Sequence, residues 1–142
     1  MINYVLTDEQ VDYAAVADLM QVVDISSLDA EQVKLSFQNS QVLVFAFEDD
    51  QLVGCGRALS DGVLQANIYN IAVAPHLQGQ GIGRQIIERL LDQLKGQIVT
   101  LYTHPKTSAY YQKLGFSQLR TGFVKFLPEE KDWFIEEGFI DR

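Results

Sequence analysis

A single cysteine, Cys55, is the only thiol in the chain, which excludes an internal disulfide and argues against a zinc site or any other resident metal. Basic residues are scarce too: 11 lysines and arginines face 19 aspartates and glutamates, for a net charge of −8. A nucleic-acid partner would need a concentrated basic face that this sequence does not show. No apolar run approaches the roughly eighteen residues of a membrane-spanning helix, so no membrane partner is expected. Met1 to Leu6 lack the basic flank and cleavage site of a signal peptide and read as a first strand, which places the expected compartment in the cytoplasm. Hydrophobic content of 47% and charged content of 21% are ordinary for a globular protein, and 142 residues suffice for one domain with a real core, spanning 1–142, but not for two.

What the chain does have is a glycine-rich loop, Gln78-Gly79-Gln80-Gly81-Ile82-Gly83, joining an apolar strand-like run, Ile68 to Val73, to a helix. Ile82, Ile86, Ile87, Leu90, Leu91 and Leu94 fall on one face of that helix, and Arg84, Gln85, Glu88, Arg89, Asp92 and Gln93 take the other. Glycine at the helix start lets backbone N–H groups approach a ligand closely, and the unpaired first-turn amides favour an anion such as a diphosphate. Spacing sorts the candidates. A dinucleotide fingerprint needs a third glycine three positions after the second, but the order here is Gly79-x-Gly81-x-Gly83. A P-loop needs a Lys-Ser/Thr pair, which the segment lacks. A plain connecting turn stays open on the loop alone.

The stretch from Ile68 to Gly83, with Val73, Pro75, Gln78, Gly81 and Gly83 in place, resembles motif A of the GNAT N-acetyltransferase superfamily, V-x-P-x-x-Q/R-x-x-G-x-G/A. Ala109-Tyr110-Tyr111-Gln112-Lys113-Leu114-Gly115-Phe116 resembles the family's second signature, and the likeness runs from about Val42 to Phe126. Arg57-Ala58-Leu59-Ser60-Asp61-Gly62 is weakly similar to a segment of the arylalkylamine N-acetyltransferase-like subgroup, although Ser60-Asp61-Gly62 is equally a good turn sequence. The resemblance implies an α/β (α+β) GNAT acyl-CoA N-acyltransferase fold, a mixed central sheet flanked by helices whose strands four and five splay apart to admit acetyl-CoA. It also implies a tendency to homodimerise.

In that picture backbone groups of Ile71, Ala72 and Val73 pair with the pantetheine arm, and amides of Gln78, Gly79, Gln80, Gly81, Ile82, Gly83 and Arg84 hold the diphosphate. Because the global charge is negative, Arg84 and His76 are expected to help locally. The Val73 N–H stabilises the oxyanion. Tyr111, beside the coenzyme sulfur, is the candidate acid, with Tyr110 the alternative. The family's usual carboxylate base is missing: His104 stands at the end of strand five, and Asn67 or Asn70 on strand four. Imidazole suits a base or relay role, whereas an amide cannot take a proton, and an inert loop histidine stays open.

The expected function is acetyl transfer from acetyl-CoA to a primary amine of a small molecule by direct attack. Acetylation of a protein amino terminus or lysine, and an acyl-CoA-binding module with a degenerate site, are the alternatives. Along the chain the patterns predict a strand over 2–6 and a helix capped by Thr7 and running to Val22. They predict a second helix over 29–39, an antiparallel hairpin of 42–47 and 52–59 turning at Glu48 to Gln51, and a strand over 66–73. After the long helix come a strand over 98–102, a short helix over 108–114, one or two closing strands within 116–126, and a helical tail over 128–138.

Overall fold

A computed structural model of the chain describes residues 1–141, which fall into two compact units divided between Leu101 and Tyr102. The first holds a five-stranded sheet, β1 (Ile2–Val5), β2 (Val42–Glu48), β3 (Gln51–Ser60), β4 (Gln65–Val73) and β5 (Ile98–Thr100), whose spatial order follows the chain. Neighbours are antiparallel through β4, and β5 returns parallel to β4, a pairing that the helical crossover between them makes possible. The hairpin turns at Asp49 and Asp50, with Glu48 opposite Gln51 and Asp49 at φ 54°.

Period-two alternation in β3 sorts its two faces. A Cβ built on Gly54 or Gly56 would stand 2.8 Å from Ile86, so these glycines are what allow α3 (Ile82–Asp92) to lie directly on the strand. Ile86, Ile87 and Leu90 of that helix are fully buried. On the opposite face Phe45 stacks on Phe37 at 5.7 Å and meets Tyr13 edge-on at 6.3 Å, which seats α1 (Tyr13–Val22) and α2 (Ala30–Gln38).

The start of α1 differs from the Thr7 cap expected above. Asp12 is the cap, its carboxylate accepting the Ala14 N–H at 3.0 Å, while Asp8 accepts the Tyr13 hydroxyl at 2.8 Å and the chain turns between them. Carboxylate caps rank above threonine, and only a start at Tyr13 puts that ring into the core. For α2 the cap is Asp29, reciprocated by Gln32.

The second unit contains a 3-10 turn (Pro105–Thr107) and two short helices, α4 (Ser108–Lys113) and α5 (Lys131–Glu136). The closing strands expected within 116–126 are absent among the described residues. Among the described residues of this unit there is no strand for the segment to pair with, and Leu119, Phe123 and Val124 are all exposed, Phe123 at 98%.

Candidate active site

The loop between β4 and α3 is built to expose backbone. A 3-10 turn over Pro75–Leu77 is followed by Gln78, then by Gly79 at φ 81° and Gly81 at φ 87°, the left-handed region that glycine enters without cost. Gly81 is the cap of α3, no side chain bonds the helix start, and the first helical bond runs from the Gln85 N–H to the Gly81 carbonyl at 3.0 Å. The amides of Ile82, Gly83 and Arg84 therefore present their donors outward at the positive end of an eleven-residue helix. A Cβ at Gly79 or Gly81 would meet nothing within 4 Å. That open surface, presenting backbone donors and held by the buried Ile82, Ile86 and Leu90, fits a diphosphate.

Gln78 behaves differently from its neighbours. Its N–H is turned back to the Pro75 carbonyl at 3.4 Å, and its side-chain amide donates to the Val73 carbonyl at 3.0 Å, so it braces the loop. Arg84 pairs with Glu88 at 2.9 Å on the exposed side of the helix, a contact worth at most about 1 kcal/mol and readily exchanged for a ligand phosphate.

Next to the loop β4 has an open edge. β5 pairs with it only over Gln65 to Asn67, and among the described residues no strand covers the same edge from Ile68 to Val73. The Ala74 N–H donates to Val53 on β3 at 2.8 Å; because successive N–H groups of an extended chain point to opposite edges, the Val73 N–H points to the open one. Between the Cys55–Ala72 and Arg57–Tyr69 pairs, Asn70 and Ile71 both oppose Gly56, a β-bulge with Asn70 at φ 59°. Both asparagines are engaged: Asn67 accepts the Thr100 hydroxyl, and Asn70 accepts Nε of Arg57 at 2.6 Å. Cys55 lies fully buried against the Asn70 carbonyl, and burial pushes its thiol up to about 12, the wrong direction for a nucleophile. Ser60-Asp61-Gly62 forms a turn, one Asp61 carboxylate oxygen accepting the N–H groups of Val63, Leu64 and Gln65 at 2.7, 2.8 and 3.1 Å; these bonds hold its carboxyl below the usual range.

In the second unit Tyr111 lies on α4, half-buried, with its ring edge-on to Tyr110 at 5.3 Å and Phe116 at 5.7 Å. Burial raises its hydroxyl above the ordinary tyrosine value; Tyr110 adds to the rise, and a hydrogen bond with Thr103 opposes it. Tyr111 is thus biased toward its protonated, donating form. Lys113 is exposed at the end of the same helix.

His104 caps the 3-10 turn. Its Nδ1 accepts the Lys106 N–H at 3.1 Å, so the ring proton sits on Nε2 and points at Glu137, 3.0 Å away. Phe139 packs edge-on against the imidazole at 5.2 Å. Glu137 and Thr103 are the two polar neighbours that sequence reasoning missed. Thirty-three residues separate Glu137 from His104, and no local pattern links them.

The family model for the acetyltransferase (GNAT) domain matches residues 5–125. Among curated proteins the chain is 28% identical over 120 residues to an uncharacterised N-acetyltransferase ycf52 of Pyropia yezoensis, covering 80% of this chain and 69% of that one. It is 30% identical over 115 residues to the chloroplastic serotonin N-acetyltransferase 2 of rice, covering 75% and 56%. The chain thus spans from about half to about two thirds of the length of such relatives. A solved GNAT-family acetyltransferase from Streptococcus pneumoniae superposes with a TM-score of 0.78 at 27% identity, over 90% of this chain and 99% of that one.

Proposed function

Because the chain belongs to the GNAT acetyltransferase family, we propose that it transfers an acetyl group from acetyl-CoA to a primary amine of a small molecule by direct attack. The observation that carries this reading is the uncapped start of α3 behind left-handed Gly81, set beside the open edge of β4 where the Val73 N–H points outward. Bound acetyl-CoA supplies an activated acyl thioester. The amides of Gly79, Gln80, Gly81, Ile82, Gly83 and Arg84 hold its diphosphate, Gln78 braces that loop, and the β4 edge from Ile71 through Ala72 to Val73 receives the extended arm as an added strand would be received. Placed where charge develops on the acyl oxygen, the Val73 N–H stabilises it without reorganising.

Two proton movements remain. Tyr111 gives its hydroxyl proton to the departing sulfur and regains one from the nitrogen as the amide forms, a role suited to a phenol whose deprotonation burial opposes. His104 takes the proton of the incoming ammonium at Nδ1. That requires the Lys106 amide to let go, while the Glu137 carboxylate on Nε2 fixes the tautomer and the ring orientation. Among the described residues no helix is long and apolar enough to cross a membrane. We place the reaction in the cytoplasm, a setting compatible with a lone buried thiol.

Calorimetry with acetyl-CoA, followed by CoA release across a panel of amines, tests the proposal. Binding with turnover on small amines supports it. Turnover only on peptides redirects it to protein acetylation, and binding without any turnover leaves a regulatory acyl-CoA-binding module.

A further inference from the structure

Arg57 is the polar side chain that the proposed chemistry does not use, and its surroundings are unusual for a cation. It is half-buried on the α1–α2 face of the sheet, with its guanidinium 5.8 Å from the centre of the Phe37 ring and 5.0 Å from that of Tyr69. Its Nε donates to Asn70 at 2.6 Å and Nη1 to the Ser40 hydroxyl at 3.2 Å. Every one of these partners is neutral. The chain carries 19 acidic residues, yet among the described residues no carboxylate lies within 4 Å of this guanidinium. Asn70, an amide, stands where a carboxylate would have closed the pair. Among the described residues two of its five N–H groups find an acceptor, and the rest of the planar fork is left for an outside one. Withdrawal from water alone pushes the group toward losing its proton, so it gains from any anion that docks.

We propose that Arg57 receives a carboxylate of the acceptor, so that the acceptor is a small amino carboxylate rather than a simple amine. This rests on the acetyl-transfer reading above. A single planar guanidinium matches a carboxylate fork to fork. An amino carboxylate is a zwitterion, so a net charge of −8 does not repel it as it would a dianion. Position agrees: Asn70, which holds Arg57, lies at the bulge three residues before Val73, about 10 Å along the strand. The guanidinium contact and the approach of the amine to the acyl carbon each take up about 3 Å of that distance, which leaves about 4 Å between carboxylate and amine, a spacing that small amino acids meet.

The test uses matched pairs, an amino acid and its decarboxylated amine (tryptophan with tryptamine, γ-aminobutyrate with propylamine), with the full chain. Wild type should favour at least one carboxylated member in kcat/KM by about 10- to 100-fold. Arg57→Gln removes the charge and Asn70→Asp gives it an internal partner; each should collapse that ratio to within about threefold, the second serving if the first does not fold. No preference in any pair, or equal loss for both members of a pair in the variants, overturns the assignment and leaves Arg57 a packing residue. The Arg57 Nε–H resonance supplies a readout free of turnover: the same amino acids should shift it where their decarboxylated amines do not. If acetyl-CoA binds and that shift appears without acetylation of any amine, the transfer reading falls while the carboxylate site stands. If simple amines are acetylated and the resonance never moves, the reverse holds.

Discussion

Among the described residues every side chain of the hydrophobic core lies from Tyr13 to Leu94, and none from Tyr102 on is buried. The first unit contains the backbone devices: left-handed glycines, an uncapped helix start, a bulge and an open strand edge. The second contains the side chains proposed to move protons, Tyr111 and His104, fixed by local bonds to Thr103, Lys106 and Glu137. A backbone device needs a scaffold that cannot shift, because an amide is aimed only by the chain that carries it. A side chain can instead be aimed by two or three neighbours. Substitutions in the first unit should therefore act on binding and stability, and those in the second on rate and pH dependence.

The largest effect should come at the loop. Gly81→Glu, at φ 87°, places a side chain and a negative charge in the open space beside the helix start, and should abolish acetyl-CoA binding measured by calorimetry. The left-handed backbone adds about 1–2 kcal/mol of strain, so far-ultraviolet circular dichroism must show the variant folded. Unchanged affinity in a folded variant would remove the diphosphate assignment. The contrast in packing predicts the next effect: Leu90→Ala, in a fully buried position, should cost about 2–5 kcal/mol in denaturant unfolding, while Phe123→Ala, at a side chain 98% exposed, should stay within about 0.5 kcal/mol. Comparable losses would show that the 116–126 segment is packed in solution.

The same contrast explains what the sequence made legible. The loop, α3 and the β2–β3 hairpin were readable because each is a local signal: glycines at fixed offsets, a clean 3.6-residue stripe, two apolar runs around four polar residues. Ser60-Asp61-Gly62 could be read as a turn for the same reason. The α1 cap was misplaced because Thr7 and Asp12 both satisfy the local rule, and only the tertiary demand that Tyr13 reach Phe37 and Phe45 chooses between them. Residues 116–126 have strand-forming composition but no partner strand among the described residues of their unit, and pairing is not written locally. Glu137 was invisible, being joined to His104 across 33 residues by one contact. The isolation of Arg57 is a fact about what surrounds it, which no motif records.

On the side-chain half, Tyr111→Phe keeps the ring and its contacts with Tyr110 and Phe116 and removes only the donor. A loss on the order of 10²-fold in kcat is expected, with acetyl-CoA affinity and thermal stability near wild type. Because burial raises the Tyr111 hydroxyl above its ordinary 10.0, the protonated form persists as pH climbs to that value, and kcat should show no descending limb below about pH 10 from this group. A drop in stability equal to the drop in rate would instead make Tyr111 a packing residue, and a similar kcat loss for Tyr110→Phe with Tyr111→Phe near normal would transfer the role to its neighbour.

The smallest effect, and the finest test of the contrast, belongs to His104. As the cap of the Pro105–Thr107 turn its removal loses two exposed hydrogen bonds, for about 1–2 kcal/mol of local order. As a base its removal should also reshape the pH dependence, since a neutral imidazole accepts the ammonium proton and an alanine does not. The pH profiles of kcat/KM should therefore differ between wild type and His104→Ala, measured with one amine for both enzymes because the amine's own ionisation shapes the profile too. Glu137→Gln separates the two roles. The amide still accepts the Nε2 proton and so keeps the turn, but the carboxylate is gone; a base oriented by Glu137 predicts a slower rate with unchanged thermal stability. Superimposable profiles for all three proteins would leave His104 a structural cap, and would send the ammonium proton through water held at the open edge of β4.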